Sequence, residues 1–265
     1  MIGKPKLFLA VLVLMLLATD AFADSHDDER FSISLGLFVT DRDTETQLDG
    51  TISSGTPLDL ENDLGLDTSD SVFRVDGYLR FSERHRIDFS VFDLSRSSSK
   101  QIDRDIQWGD EFYSISATID ADFDLAIYKA AYTYSFMRRE NGYLGGTIGV
   151  YVADTKVSLV EQNLGQAEVG DITAPLPVIG LRGEYEFADR WKFRASGEFF
   201  FVEYEDIDGS LVDLYAGVDY SVLDNMAIGL GINSVALDVD ALDSEFQGSL
   251  DWSYTGGLIF FKFNF

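Results

Sequence analysis

The chain has no cysteine, four prolines and two histidines in 265 residues, and its 20 Lys and Arg are outnumbered by 46 Asp and Glu. The first absence excludes disulfides, thiolate chemistry and a lipoprotein acylation site. A formal charge of −26 makes nucleic acid a poor partner, because phosphate binding needs basic patches. Strong acidity with few aromatics would read as disorder, but aromatics make up 14% of the residues and glycine is plentiful. No stretch is apolar for long enough to cross a bilayer as a helix. The longest run, Leu7 to Ala18, is about 12 residues, short of the roughly 17 to 25 that a spanning helix needs.

That run belongs to a targeting segment. Lys4 and Lys6 precede it, and Ala21-Phe22-Ala23 follows with the small-x-small pattern of a signal peptidase site. Residues 1–23 are therefore expected to be a signal peptide, and residues 24–265 one all-β domain.

What fills that domain is alternation with period two. Phe31, Ile33, Leu35, Leu37 and Val39 share a face opposite Ser32, Ser34 and Gly36. Phe73, Val75, Gly77, Leu79 and Phe81 do so opposite Arg74, Asp76, Tyr78 and Arg80. The layout recurs to the last strand, where Ile259, Phe261, Phe263 and Phe265 enclose Lys262 and Asn264. Ten strands result. Short turns are expected at Ser82–His85, Met137–Gly142, Ala188–Arg190 and Leu223–Asn225. Longer, mostly acidic loops are expected at Asp41–Ser71, Ser97–Ala121, Glu161–Pro175, Glu205–Ser210 and Asp240–Gly248. Short turns on one side and long loops on the other, with an even strand count, predict an up-and-down transmembrane β-barrel with periplasmic turns and extracellular loops. Alternation around Gln101 to Ile119 predicts that some strands run on beyond the membrane.

A β-sandwich also alternates. The apolar face, however, ends in aromatics (Phe81, Tyr134, Phe136, Phe187, Trp191, Tyr220), as an interfacial girdle does. Phe261, Phe263 and Phe265 close the chain at every second position, similar to the signal by which the barrel-assembly machinery recognises its clients.

The whole layout resembles the small Gram-negative outer-membrane β-barrels. DLENDLGLD (Asp59–Asp67) and YLRFSERHRIDFSVFDLSRS (Tyr78–Ser97) resemble a group of uncharacterised proteobacterial barrel proteins, over about the first half of the domain. The resemblance implies a fold and an outer-membrane location, with lipid and lipopolysaccharide as neighbours, and brings no catalytic residues.

Enzymes of this architecture commonly use a histidine base. His26 sits in the N-terminal tail and His85 beside a periplasmic turn, so a non-enzyme is expected. The inward charges are the more informative group: Arg74, Asp76, Arg80, Asp88, Lys129, Arg182, Glu184, Glu186, Arg194, Glu198, Asp213 and Asp219. Two readings compete, a charged solute pathway and a salt-bridged plug. Large luminal side chains such as Tyr78, Tyr151 and Phe260 favour the plug in so narrow a barrel. The expectation is thus a monomeric barrel with an occluded, charge-lined lumen and an envelope-structural or surface-binding role, a narrow porin-like channel being the alternative. No cofactor is expected. Asp206 and Asp208 form a fragment of a calcium-loop pattern, for which a solvated acidic turn is the plainer reading. Basic residues gather at the periplasmic turns (Arg84, Arg86, Arg138, Arg139, Arg190, Lys192).

Overall fold

The computed structural model describes residues 30–204, 207–242 and 247–265. The signal-peptide segment 1–23, His26 and Asp206 lie outside the described residues. Thirteen strands follow in order: β1 (Phe31–Leu48), β2 (Leu58–Asp59), β3 (Ser69–Ser82), β4 (His85–Gln101), β5 (Ile106–Trp108), β6 (Glu111–Tyr113), β7 (Thr118–Arg139), β8 (Gly142–Glu161), β9 (Ala167–Ala188), β10 (Trp191–Tyr204), β11 (Ile207–Leu223), β12 (Met226–Leu242) and β13 (Gln247–Asn264). Ten of them, all but β2, β5 and β6, pair antiparallel with their chain neighbours, and β13 pairs with β1 to close the barrel. The ends are clasped: Phe31 N–H donates to Phe265 O at 3.0 Å, and Phe265 N–H to Phe31 O at 2.8 Å.

The four periplasmic hairpins turn through two residues each, at 83–84, 140–141, 189–190 and 224–225. Each carries a register shift, beside Arg80, Ser135, Trp191 and Ser221. Bulges of this kind bend a strand and sharpen its twist at a barrel rim.

The long extracellular loops expected from the sequence are mostly strand. β1 runs on to Leu48, β7 starts at Thr118, and β9 starts at Ala167, so the third loop shrinks to residues 162–166. The reason is an inversion of the two faces partway up the wall. On β1 the outward positions pass from Leu37 and Val39 to Asp41, Asp43 and Glu45, all exposed. On β7 they pass from Tyr128 to Asp124 and Asp122; on β8 from Val150 and Val152 to Asp154; on β12 from Ile232 to Asp238 and Asp240. The inward positions change the opposite way, from charged to apolar. A strand of 22 residues at about 3.3 Å each, tilted by about 40°, stands about 55 Å tall, while the lipid-facing band needs about 25 Å. The upper part of the wall therefore stands in water, with its carboxylates outside and an apolar core inside.

That core holds Phe38, Phe123, Leu125, Tyr151, Leu159, Val178, Leu237, Trp252 and Phe260, each at most 5% exposed. The first two extracellular connections fold down onto it. Leu58, Leu60, Leu64 and Leu66 from one, and Ile102, Ile106, Trp108 and Tyr113 from the other, are buried at 3% exposure or less. The β3–β4 ladder ends at Arg74–Phe92, and the first loop fills the gap above it, where Ser98 Oγ donates to Leu64 O at 2.8 Å. The β9–β10 ladder ends at Ile179–Phe199, leaving a seam whose β9 edge carries Pro175 and Pro177.

In the lower half the outward face meets lipid, as expected, with Ile148, Ile179, Leu230 and Ile232 at 60–66% exposure. Phe31, Ile33 and Val75 lie on that face yet are buried, covered by Leu35, Phe89 and Phe263. Gly77 makes this possible, because the Phe89 ring occupies the place a Cβ would take.

Candidate functional site

The luminal face of the lower half carries seven cations: Arg74, Arg80, Arg86, Lys129, Arg182, Arg194 and Lys262. They face six carboxylates: Asp76, Asp88, Glu184, Glu198, Asp213 and Asp219. Strand parity puts them there, since each alternates with a lipid-facing apolar residue. Burial forces them to pair, because a lone charge away from water is costly.

Most of the pairs link into one network across the lower lumen. Arg86 holds Asp88 at 2.7 Å and Glu184 at 2.8 Å, and the Tyr143 hydroxyl donates to Glu184 at 3.1 Å. Thr133 Oγ1 donates to Asp88 at 2.8 Å. Arg182 reaches Glu198 at 2.9 Å, and Lys129 is in contact with the same carboxylate and 3.8 Å from Asp213. Asn233 Nδ2 donates to Asp213 at 2.6 Å, while its oxygen accepts from Arg74 at 2.5 Å and from Tyr254 at 2.9 Å. Arg74 closes on Asp76 at 2.9 Å, and Arg194 on Asp219 at 2.8 Å. Aromatic faces cover the cations: Arg86 lies 4.5 Å from the Tyr78 ring centre, Lys129 4.9 Å from Tyr151 and Arg194 5.1 Å from Phe260.

Of the residues expected on the luminal face, Glu186 lies at its open end, lining the periplasmic mouth. It pairs across the ladder with Lys192 at the periplasmic mouth, is exposed, and lies outside the buried network. Asp76 and Arg80 are half-buried and the others more enclosed. Asn233, Tyr143, Tyr254 and Lys262 join the network without having been singled out from the sequence. Lys262 was legible, since it sits between Phe261 and Phe263 and so must point inward.

The expected charge-lined lumen is correct only for this lower half. Above Arg74 the lumen is largely apolar, and a buried ion pair anchors the plug. Arg96, buried over the Phe123 ring at 4.8 Å, contacts Glu61, and donates to Thr44 Oγ1 at 2.8 Å. Thr44 N–H donates to Glu61 at 3.0 Å. Carboxylate oxygens of Asp43, Asp59 and Glu61 lie within 4.8 Å of one another. Glu61 is already neutralised by Arg96, and Asp59 accepts from Asn62 N–H at 2.7 Å across the turn at 60–64. Asp208, the described half of the calcium-loop fragment, is exposed.

Charge crowding marks the extracellular end. Burial, with Asp110 and Glu111 nearby, raises the Glu168 carboxyl above its ordinary value. Burial and the same acidic neighbourhood push the Tyr113 hydroxyl up to about 12. Burial and the neighbours Asp240, Asp251 and Asp208 raise Asp238. Asp49 goes the other way: burial opposes it, but hydrogen bonds from Gln47, Gly55 N–H and Ser54 hold it below the usual carboxylate value.

No protein-family model matches the chain, and no curated protein matches it in sequence. Solved structures do. The outer-membrane protease OmpT of Escherichia coli superposes with a TM-score of 0.60 over 92% of this chain and 99% of that one, at 9% identity. The attachment invasion locus protein Ail of Yersinia pestis scores 0.37 at 13% identity, over 88% of this chain and 99% of that one. The toluene transporter TodX of Pseudomonas putida scores 0.34 at 8% identity, over 90% of each chain. Only the first is near enough to compare wall with wall. It corrects the expectation of a non-enzyme: the ten-stranded architecture of this chain is also that of a protease, so the scarcity of histidine does not decide the question. At 9% identity the likeness is one of fold. Closed antiparallel wall, lipid-facing apolar band and fold likeness converge on one statement. The chain is an integral β-barrel of the Gram-negative outer membrane.

Proposed function

We propose that the protein works at the cell surface as a closed barrel, in an envelope-structural or surface-binding role, and not as a conduit. One observation carries this reading. The upper lumen is filled by a continuous apolar core, capped by the first two extracellular connections, from Phe260 and Phe38 up to Leu60 and Trp108. A water-filled path would have to cross that core and break the Arg96–Glu61 anchor. The acidic outer wall then becomes the working surface. Divalent cations bridging it to lipopolysaccharide phosphates belong to the same reading, as do assembly through the Phe261, Phe263 and Phe265 signal and a monomeric state. The resemblance of Asp59–Asp67 and Tyr78–Ser97 to uncharacterised barrels sits well with it, because the two stretches are the plug segment and the β3–β4 hairpin.

Planar-bilayer recording on the refolded mature chain tests it. A silent membrane is the expected outcome. Discrete, reproducible openings would favour the narrow channel and overturn the closed-barrel reading.

A further inference from the structure

The lower lumen encloses a cavity of about 80 Å³ whose wall includes Ser90, Arg182 and Arg194. Each of these three carries a buried donor without a hydrogen-bond partner. Arg194 spends Nε on Asp219 at 2.8 Å and is held flat against Phe260, leaving Nη2 buried without a hydrogen-bond partner. Arg182 spends Nη2 on Glu198 at 2.9 Å, and its Nε is likewise unpartnered, with Asp88 3.8 Å away. Ser90 is 5% exposed, and its hydroxyl has no partner. Buried donors left unmade are expensive, so three on the residues of one cavity wall call for an acceptor.

The carboxylates around the cavity are already engaged: Asp76 by Arg74, Asp88 and Glu184 by Arg86, Asp213 by Asn233 and Lys129. The seven cations exceed the six carboxylates by one, in a chain whose total charge is −26. The approach has the same sign. At the periplasmic mouth a second cavity of about 210 Å³ adjoins the first at Glu184, and in its wall the cations Arg80, Arg138, Arg139 and Lys192 outnumber the carboxylates Glu140, Glu184 and Glu186 by one. From the other side the path is closed by the apolar core and an acidic surface. Positive potential at the open end draws anions inward, and the planar guanidinium fork suits an oxyanion better than a spherical ion.

We propose that the lower lumen is a binding site for a small oxyanion of phosphate size, entering from the periplasm and held by Arg194, Arg182 and Ser90. The site does not depend on what the extracellular surface does.

The test uses the refolded mature barrel in detergent and inorganic phosphate as the probe, with ionic strength held constant by gluconate. The thermal unfolding midpoint is expected to rise with phosphate and to saturate. The apparent phosphate affinity should fall about tenfold or more in Arg194→Gln, and measurably in Ser90→Ala, which keeps every ion pair. A midpoint indifferent to phosphate in the parent protein overturns the proposal. So does an equal rise with chloride, or a phosphate response unchanged in both variants. If Arg194→Gln fails to fold, the parent titration and Ser90→Ala still decide.

Discussion

The Tyr151 hydroxyl lies 2.8 Å from Glu198 Oε2 and also contacts Asp213, so one phenol stands between two buried carboxylates. It has a single proton to give, and Lys129 supplies the remaining positive charge to both acids. The two acids are therefore satisfied together.

Tyr151→Phe removes that proton while keeping the ring. The two acids lose a donor in a place water does not reach freely, and the barrel should lose about 1–3 kcal/mol of stability. Urea unfolding of the refolded protein in detergent checks this. A variant within a few tenths of the parent would mean that the hydroxyl is not needed.

The plug anchor should behave as a buried pair. Glu61→Gln leaves Arg96 facing a neutral partner and is expected to cost about 3 kcal/mol or more. Replacing both together, Glu61→Met with Arg96→Met, should recover most of the loss. Limited proteolysis between Asp49 and Thr68 reports the same event: the single variant should be cut faster than the parent and the double variant less so. Equal cutting of all three would mean that the pair does not hold the loop.

The two halves of the wall should answer charge differently. Ile148, 60% exposed on the lower outer face, should resist Arg by about 2–4 kcal/mol, the penalty of a cation near the bilayer midplane. Asp122→Asn, on the upper outer face, should change stability by less than about 0.5 kcal/mol. Folding into vesicles, followed by the mobility difference between boiled and unboiled samples, measures both. Similar effects at the two sites would contradict the inversion of faces.

The Phe260 ring lies where a Cβ on Gly229 would stand, its Cζ 2.1 Å from that position. Gly229→Ala must push the ring aside and with it the guanidinium of Arg194. A loss of about 1–3 kcal/mol is expected, visible in the same urea curves.

Asp238 offers a test by pH. Its carboxyl is raised in the folded state, so the folded chain binds that proton more tightly than the unfolded chain does. Its ionisation therefore opposes folding at neutral pH, and this opposition fades as pH falls through the raised value. Asp238→Asn should raise the unfolding midpoint at pH 7 and flatten its rise on mild acidification. A lower midpoint at pH 7 would show that the charge is welcome there.

The sequence was most legible where period two coincided with an apolar outer face. Leu37, Tyr132, Ile148 and Leu230 mark lipid contact, and their strands, order and periplasmic turns are where alternation puts them. It misled where the alternation continued with the faces exchanged. Asp41 reads as loop because an outward acid does not fit a lipid-facing strand, and Asp124 and Asp154 lie past the last outward apolar residues of their runs, yet Phe38, Phe123 and Ala153 near them are core. The depth of the plug was hidden for another reason. Leu58, Leu60, Leu64 and Leu66 lie in a turn-rich stretch with no lasting period, and only the pairing gap above Arg74 shows where they pack. In the site, parity places Asp88, Lys129, Glu198 and Asp213 inside the wall, while Glu186, of the same parity, is exposed because it stands at the periplasmic mouth.

The inverted faces also make the barrel's orientation one-way. Sliding the upper wall down through the bilayer would carry Asp41, Asp93, Asp124, Asp154, Asp238 and Asp251, all outward and exposed, into the hydrocarbon. Once those carboxylates meet water on the far side, going back would bury them again, each at a cost of several kcal/mol. The acidic half thus resists being drawn back into the lipid and fixes the depth at which the barrel sits.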